Sequence, residues 1–223
     1  MLVSHRKKFI YTKTIKTAST AVEIFFEKYC MPEGEWSFHH STNEHISESG
    51  IIGFRGNRKE FEMQSPKFFH HMPASVIKEY LGDQIWKEYF KFCVIRNPFE
   101  KVLSYFFHFK EKNPNGESQV MAANFQKWVK ERLQHDVDDR NKYLINDRIC
   151  MDYFIRHENL LEDIKTVCRI IGVPFDPESI PRLKDRHRLP NTRIENYYNT
   201  ETAALIVKYF AFEFEYFGYK KTS

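Results

Sequence analysis

Two lysines and a run of small hydroxyls, "KTIKTASTA" at residues 13–21, lie between an apolar stretch and one whose apolar positions recur at helical spacing. Such residues at the start of a helix suit an anion, because the first N–H groups of a helix are unpaired and carry a partial positive charge of about half an electron. Lys16 offers a full charge there. Thr17, Ser19 and Thr20 offer hydroxyls and, with Ala18, main-chain amides. The same string also reads as a capped helix start with a solvated lysine. A second junction of this kind is "VIRNPFEKVLSYF", where Arg96 ends an apolar run and Ser104 follows eight residues later. A guanidinium at that place suits two-pronged recognition of phosphate. Pairing with a carboxylate and back-bonding of the serine within its helix are the structural alternatives. Two histidine pairs, His39–His40 and His70–His71, have the right chemistry to accept a proton near neutral pH.

These groups need elements to place them. "KKFIYT" reads as a short buried strand, and Ala18, Val22, Phe25, Phe26 and Tyr29 mark the helix after it. Residues 31–68 are polar and weakly periodic, with "GIIGFRG" as one hairpin strand; an irregular insert of that length is often functional. "MPASVIKEYLG" predicts a helix stopped by Gly82. "YFKFCVI" is a continuous apolar run of the kind buried on both faces of a parallel sheet. Asn97 and Pro98 suit the cap and first position of the next helix, with Phe99, Val102, Leu103, Phe106 and Phe107 as its buried stripe. A loop at 112–118 and a helix near 120–134 follow. "YFIRHENLLEDIKTVCRIIGVPF" predicts a strand and then a helix with Leu161, Ile164, Val167 and Cys168 inward, ending at Gly172. A proline-interrupted basic loop, "DPESIPRLKDRHRLPNTR", leads to a last helix at 200–212 and an aromatic tail. Strands alternating with helices predict an α/β fold of three layers, a parallel sheet flanked by helices, in one domain over residues 1–223. At such sheets ligands sit beyond the carboxyl ends of the strands, where both junctions fall.

The chain has 223 residues, 42% of them hydrophobic, and a net charge of +4. That is a globular composition with ample core, and 21 phenylalanines favour a core of packed rings. A charge this small admits an anionic ligand but argues against a protein that coats nucleic acid. Cys30, Cys93, Cys150 and Cys168 form no C-x-x-C pair and no metal-ligand spacing, and read as reduced thiols. No run approaches the ~20 apolar residues of a membrane span. The expectation is a cytoplasmic protein with no nucleic-acid or membrane partner and no metal.

Taken with their order, the motifs resemble those of the sulfotransferases. "KTAST" after a short strand is similar to the 5′-phosphosulfate loop of the carbohydrate 2-O-sulfotransferases. "RNPFEKVLSYF" is similar to the family's 3′-phosphate motif, and "FKFCVIRNP", "HMPASVIKEYLG", "RHENL" and "YFGY" extend the likeness from about Lys7 to Lys220. It is weak across residues 31–68. Ile15 stands where the family usually has proline, and "IRHENL" where it often has "GRFENL".

The resemblance implies a P-loop-like sulfotransferase fold and 3′-phosphoadenosine-5′-phosphosulfate (PAPS) as donor, with 3′-phosphoadenosine 5′-phosphate (PAP) as product. By motif, Lys16, Thr17, Ala18, Ser19 and Thr20 would hold the phosphosulfate, and Arg96 and Ser104 the 3′-phosphate. Lys16 would also stabilise the leaving group. His71, which precedes the "x-P-A" helix start as a histidine does in similar sequences, is the expected base, with His70 second. Arg188 and Arg193 of the basic loop would close over the nucleotide. The insert, with His39, His40, Arg55 and Arg58, would meet the acceptor, a hydroxyl or amine of a carbohydrate or small natural product. Two rivals remain at this point. A P-loop-type small-molecule kinase lacks its G-x-x-x-x-G-K-[ST] loop here. A non-catalytic nucleotide- or polyanion-binding module would not require both a lysine and a histidine at these places.

Overall fold

A computed structural model describes residues 1–110, 118–181 and 193–221. These divide into two units, one of residues 1–95 and 139–181, the other of residues 96–110, 118–138 and 193–221. The first unit holds a six-stranded sheet. In chain order its strands are β1 (Leu2–Ser4), β2 (Phe9–Tyr11), β3 (His45–Ser47), β4 (Gly50–Ile52), β5 (Phe90–Ile95) and, after the small hairpin β6 (Leu144–Ile145) and β7 (Arg148–Ile149), β8 (Tyr153–Arg156). Their order in space is β3-β4-β1-β2-β5-β8.

Only β2, β5 and β8 run parallel, so the expectation of a parallel sheet holds for half of it. β1 pairs antiparallel with both β2 and β4, and β4 with β3. The cause is connection length. Four residues join β1 to β2 and two join β3 to β4, and links that short can only return the chain antiparallel.

The register puts Leu2, Phe9, Tyr11, Phe92, Val94 and Ile155 on one face of the sheet. Two helices bury their stripes there: α1 (Ser19–Glu27) with Val22, Phe25 and Phe26, and the later helix Leu160–Ile171 with Ile164, Val167 and Cys168. The rings of Phe9, Phe26 and Phe92 meet at centroid distances of 5.1–5.7 Å, which bears out the aromatic core. Leu161, expected in that stripe, is half exposed instead. Val3, Ile10, Cys93 and Ile95 of the opposite face are buried too, as the unbroken apolar run of β5 requires.

The insert at 31–68 is more regular than its sequence suggests, for it contains β3, β4 and a capped helix, α2 (Arg58–Gln64). The next helix, α3 (Ala74–Glu88), does not stop at Gly82. It breaks there, with φ +80°, and resumes for one and a half turns.

The second unit is helical. Asn97 caps α4 (Pro98–Phe109) by accepting the Phe99 N–H, as its sequence foretells. α5 (Ser118–Asp136), then α6 (the Leu160–Ile171 helix of the first unit), α7 (Thr200–Tyr209) and α8 (Ala211–Phe217) complete the set. In the second unit Phe99, Phe106, Phe125, Tyr197, Ile206 and Phe214 pack α4, α5, α7 and α8 together. The aromatic tail is thus largely helical, with a break at Phe210. Among the described residues no helix is long and apolar enough to cross a membrane. The 112–118 loop, except Ser118 at the start of α5, lies outside the described residues.

Candidate active site

The loop from Thr12 to Ala18 leaves the carboxyl end of β2 and is pinned to the sheet. The Thr14 hydroxyl donates to the Val94 carbonyl at 2.5 Å, and the Ile15 N–H to the buried Asp139 carboxylate at 2.8 Å. Since the one Thr14 proton is committed, the Thr17 hydroxyl is the donor in the 2.8 Å Thr14–Thr17 contact. The Ser19 hydroxyl donates to the Thr14 carbonyl at 2.6 Å. Thr17 and Ser19 are accordingly buried, and their hydroxyl protons hold the loop rather than face outward. Lys16, Ala18 and Thr20 are the half-buried members.

Two residues of this loop adopt left-handed backbone without being glycine: Lys16 at φ +59° and Ala18 at φ +60°. Each such residue costs on the order of 1–3 kcal/mol and persists only where its surroundings impose it; here the Thr14, Ser19 and Asp139 bonds do so. Left-handed residues alternating with others turn successive N–H groups toward a common hollow, an anion-binding arrangement. Among the described residues no acceptor pairs with the N–H groups of Thr17, Ala18, Ser19 or Thr20. These donors at the start of α1 fit a phosphate or sulfate group. Lys16 on the same turn adds a cation.

His71 reaches the base of this loop. Its Nδ1 lies 3.0 Å from the Lys13 carbonyl, which can only accept, so Nδ1 carries the ring proton and Nε2 is left with its lone pair. His71 is itself left-handed, at φ +59°. Burial, then the neighbouring Lys13 and His70, hold its pKa well below 6.5. His70 makes the corresponding bond to the Phe54 carbonyl at 2.9 Å, and its pKa is lowered, first by burial and then by Lys13. The two rings meet edge to face, 5.0 Å apart.

Beneath the loop lies a charge network that the sequence did not disclose. Glu23 of α1 is fully buried and accepts from the Met1 amine at 2.7 Å, Lys13 Nζ at 2.6 Å and Arg55 at 2.8 Å. Burial opposes its ionisation, but Lys13, the amine and Arg55 outweigh that and hold its carboxyl well below the usual range. Arg55 also pairs with Glu27 and donates to the carbonyls of His39 and His40 at 2.9 and 2.8 Å. Arg55, expected to face an acceptor, is instead buried and spent on structure. Removing one partner from a buried pair is what such a network resists. Arg58 is exposed and pairs with Glu62 along α2 at 2.7 Å, while His39 and His40 are exposed.

The second junction falls in the helical unit. Arg96, just ahead of the Asn97 cap, pairs with Glu100 of α4 at 3.0 Å, and Ser104 follows Glu100 by four residues on the same side of that helix. Arg193 is exposed, and Arg188 lies outside the described residues. All four cysteines are free; burial pushes Cys150 and Cys168 up to about 11, which leaves both protonated at neutral pH.

A sequence profile of the sulfotransferase family matches residues 1–220, nearly the whole chain. The chain belongs to the sulfotransferase family. It is also 32% identical over 106 residues to an uncharacterized protein of Archaeoglobus fulgidus, a match that spans 46% of this chain and 84% of that one. No solved structure matches. Asp139, Lys13 and Glu23 escaped the sequence reading. No local spacing marks them, since their partners lie 124 and 10 residues away.

Proposed function

We propose that the protein transfers a sulfuryl group from PAPS to a hydroxyl or amine of a carbohydrate or small-molecule acceptor, releasing PAP. The observation that carries this reading is the set of N–H groups at Thr17–Thr20 that meet no acceptor among the described residues, turned by left-handed Lys16 and Ala18, with a histidine bonded to the carbonyl three residues before Lys16.

The donor supplies an activated S–O bond between its sulfuryl group and its 5′-phosphate. The amides of Thr17–Thr20 and the Thr20 hydroxyl bind and orient that end. His71 Nε2 takes the acceptor proton while the acceptor atom bonds to sulfur. The electron pair of the broken S–O bond stays on the bridging oxygen of the departing 5′-phosphate, and Lys16 meets that growing charge. Stabilisation of this sort acts where charge develops and is commonly the largest catalytic contribution. Arg96 and Ser104 are assigned to the 3′-phosphate.

Incubation with PAPS and a panel of sugars, phenols and amines, with release of PAP as the readout, tests the proposal. Acceptor-dependent release is expected, and release with no acceptor at any concentration would contradict it. Arg96→Ala is expected to weaken PAP binding by roughly tenfold or more, since hydrogen bonds to charged groups contribute ~1.5–3 kcal/mol. Titration calorimetry checks this; unchanged affinity would remove Arg96 from the donor site.

A further inference from the structure

The mechanism above uses Lys16 and leaves Lys13 without a part, although Lys13 is the more unusual of the two. Its side chain is 3% exposed, and its ammonium is clamped by Glu23 at 2.6 Å. Its own carbonyl receives the Nδ1 proton of His71. One residue therefore touches the expected base through its main chain, and its buried ammonium acts electrostatically on the same ring. Glu23 is in turn held by Arg55, whose guanidinium reaches the carbonyls of His39 and His40 in the insert.

We propose that Lys13 is a positioning residue for the base: its carbonyl selects the tautomer that leaves Nε2 of His71 open, and its ammonium, anchored by Glu23, disfavours a second proton on that ring. The inference rests on the reading of His71 as base. The charged and titratable groups acting on the ring are Lys13 and His70, which disfavour the imidazolium, and Glu23, which favours it. Burial acts in the same direction and is the larger cause, and Lys13 is the foremost of the charged groups that add to it. Glu23 keeps the ammonium in place against the burial that opposes its charge.

Removal of the ammonium alone is a clean test, because the carbonyl is retained in every variant. In Lys13→Met, Glu23 keeps the Met1 amine and Arg55, so the carboxylate stays paired. Two readouts separate the inference from the reading beneath it. An NMR titration of His71 reports its protonation whether or not the ring is catalytic, and the acid limb of the kcat profile with PAPS reports the base. The expected result is that both move to higher pH in Lys13→Met, towards the ordinary histidine value, and return towards the wild-type position in Lys13→Arg. A titration that moves while the kcat limb stays put would support the part of Lys13 and overturn His71 as base. A titration that does not move in a folded variant, checked by its melting transition, would overturn the inference. If Lys13→Met does not fold, Lys13→Gln, which keeps a hydrogen bond to Glu23 without the charge, carries the same two readouts.

Discussion

Lys16→Ala is expected to lower kcat for sulfuryl transfer by about 10²–10³-fold, the usual consequence of removing one group that stabilises developing charge. The melting temperature should change little. Lysine and alanine pay a similar penalty for left-handed backbone at φ +59°, and the bonds of Thr14, Ser19 and Asp139 that hold the loop persist in the variant. Affinity for PAP should also fall less than kcat, since the amides of Thr17–Thr20 persist in the variant. Steady-state kinetics with PAPS beside a thermal melt separates these quantities. Near-normal kcat in the folded variant would take the leaving-group role from Lys16.

The second large effect is at His71. Asparagine is the informative replacement, because it tolerates left-handed backbone and its side-chain amide can still donate to the Lys13 carbonyl. What it lacks is the Nε2 lone pair. His71→Asn should therefore lower kcat by about 10²–10⁴-fold, the range for a positioned base, with PAP affinity nearly intact. An equal loss in both would make His71 a structural residue. The pH dependence follows from its lowered pKa. Above that value the ring is neutral and competent, so the acid limb of kcat should lie below 6.5, the ordinary histidine value. Stability follows the same sign. An unfolded chain takes up this proton near 6.5 while the folded chain resists it, so stability is full above 6.5 and declines as pH falls below it. In His71→Asn that part of the acid sensitivity should be absent.

Much of this site could be read from residue order, and what could not has particular causes. β5 and α4 were legible because an unbroken apolar run and an Asn-Pro start are strong local signals. β1 and β3 were not, because "LVS" runs straight into a charged stretch and "HIS" is mostly polar, and with them went the antiparallel half of the sheet. The anion loop was legible in composition yet misleading in detail. The absence of glycine argued against a tight wrap, whereas Lys16 and Ala18 take up left-handed backbone under the constraint of distant partners. The hydroxyls looked interchangeable, but Thr17 and Ser19 turn inward and Thr20 does not, a distinction made by Val94 and by the Thr14 carbonyl. Arg55 looked like an exposed cation because its partner Glu23 is 32 residues away. Pairings at such separations exist only once the chain has folded.

The central proposal is a donor with phosphates at both its 3′ and 5′ positions. Thermal stability of the full chain with adenosine 3′,5′-bisphosphate, ADP and Mg·ATP at equal concentrations tests it most directly. At about 100 times its dissociation constant a ligand stabilises by ~2.7 kcal/mol, which a melting curve resolves readily. A rise in melting temperature with the 3′,5′-bisphosphate, and little with the other two, is the predicted result. A rise with Mg·ATP and none with the 3′,5′-bisphosphate would contradict the account.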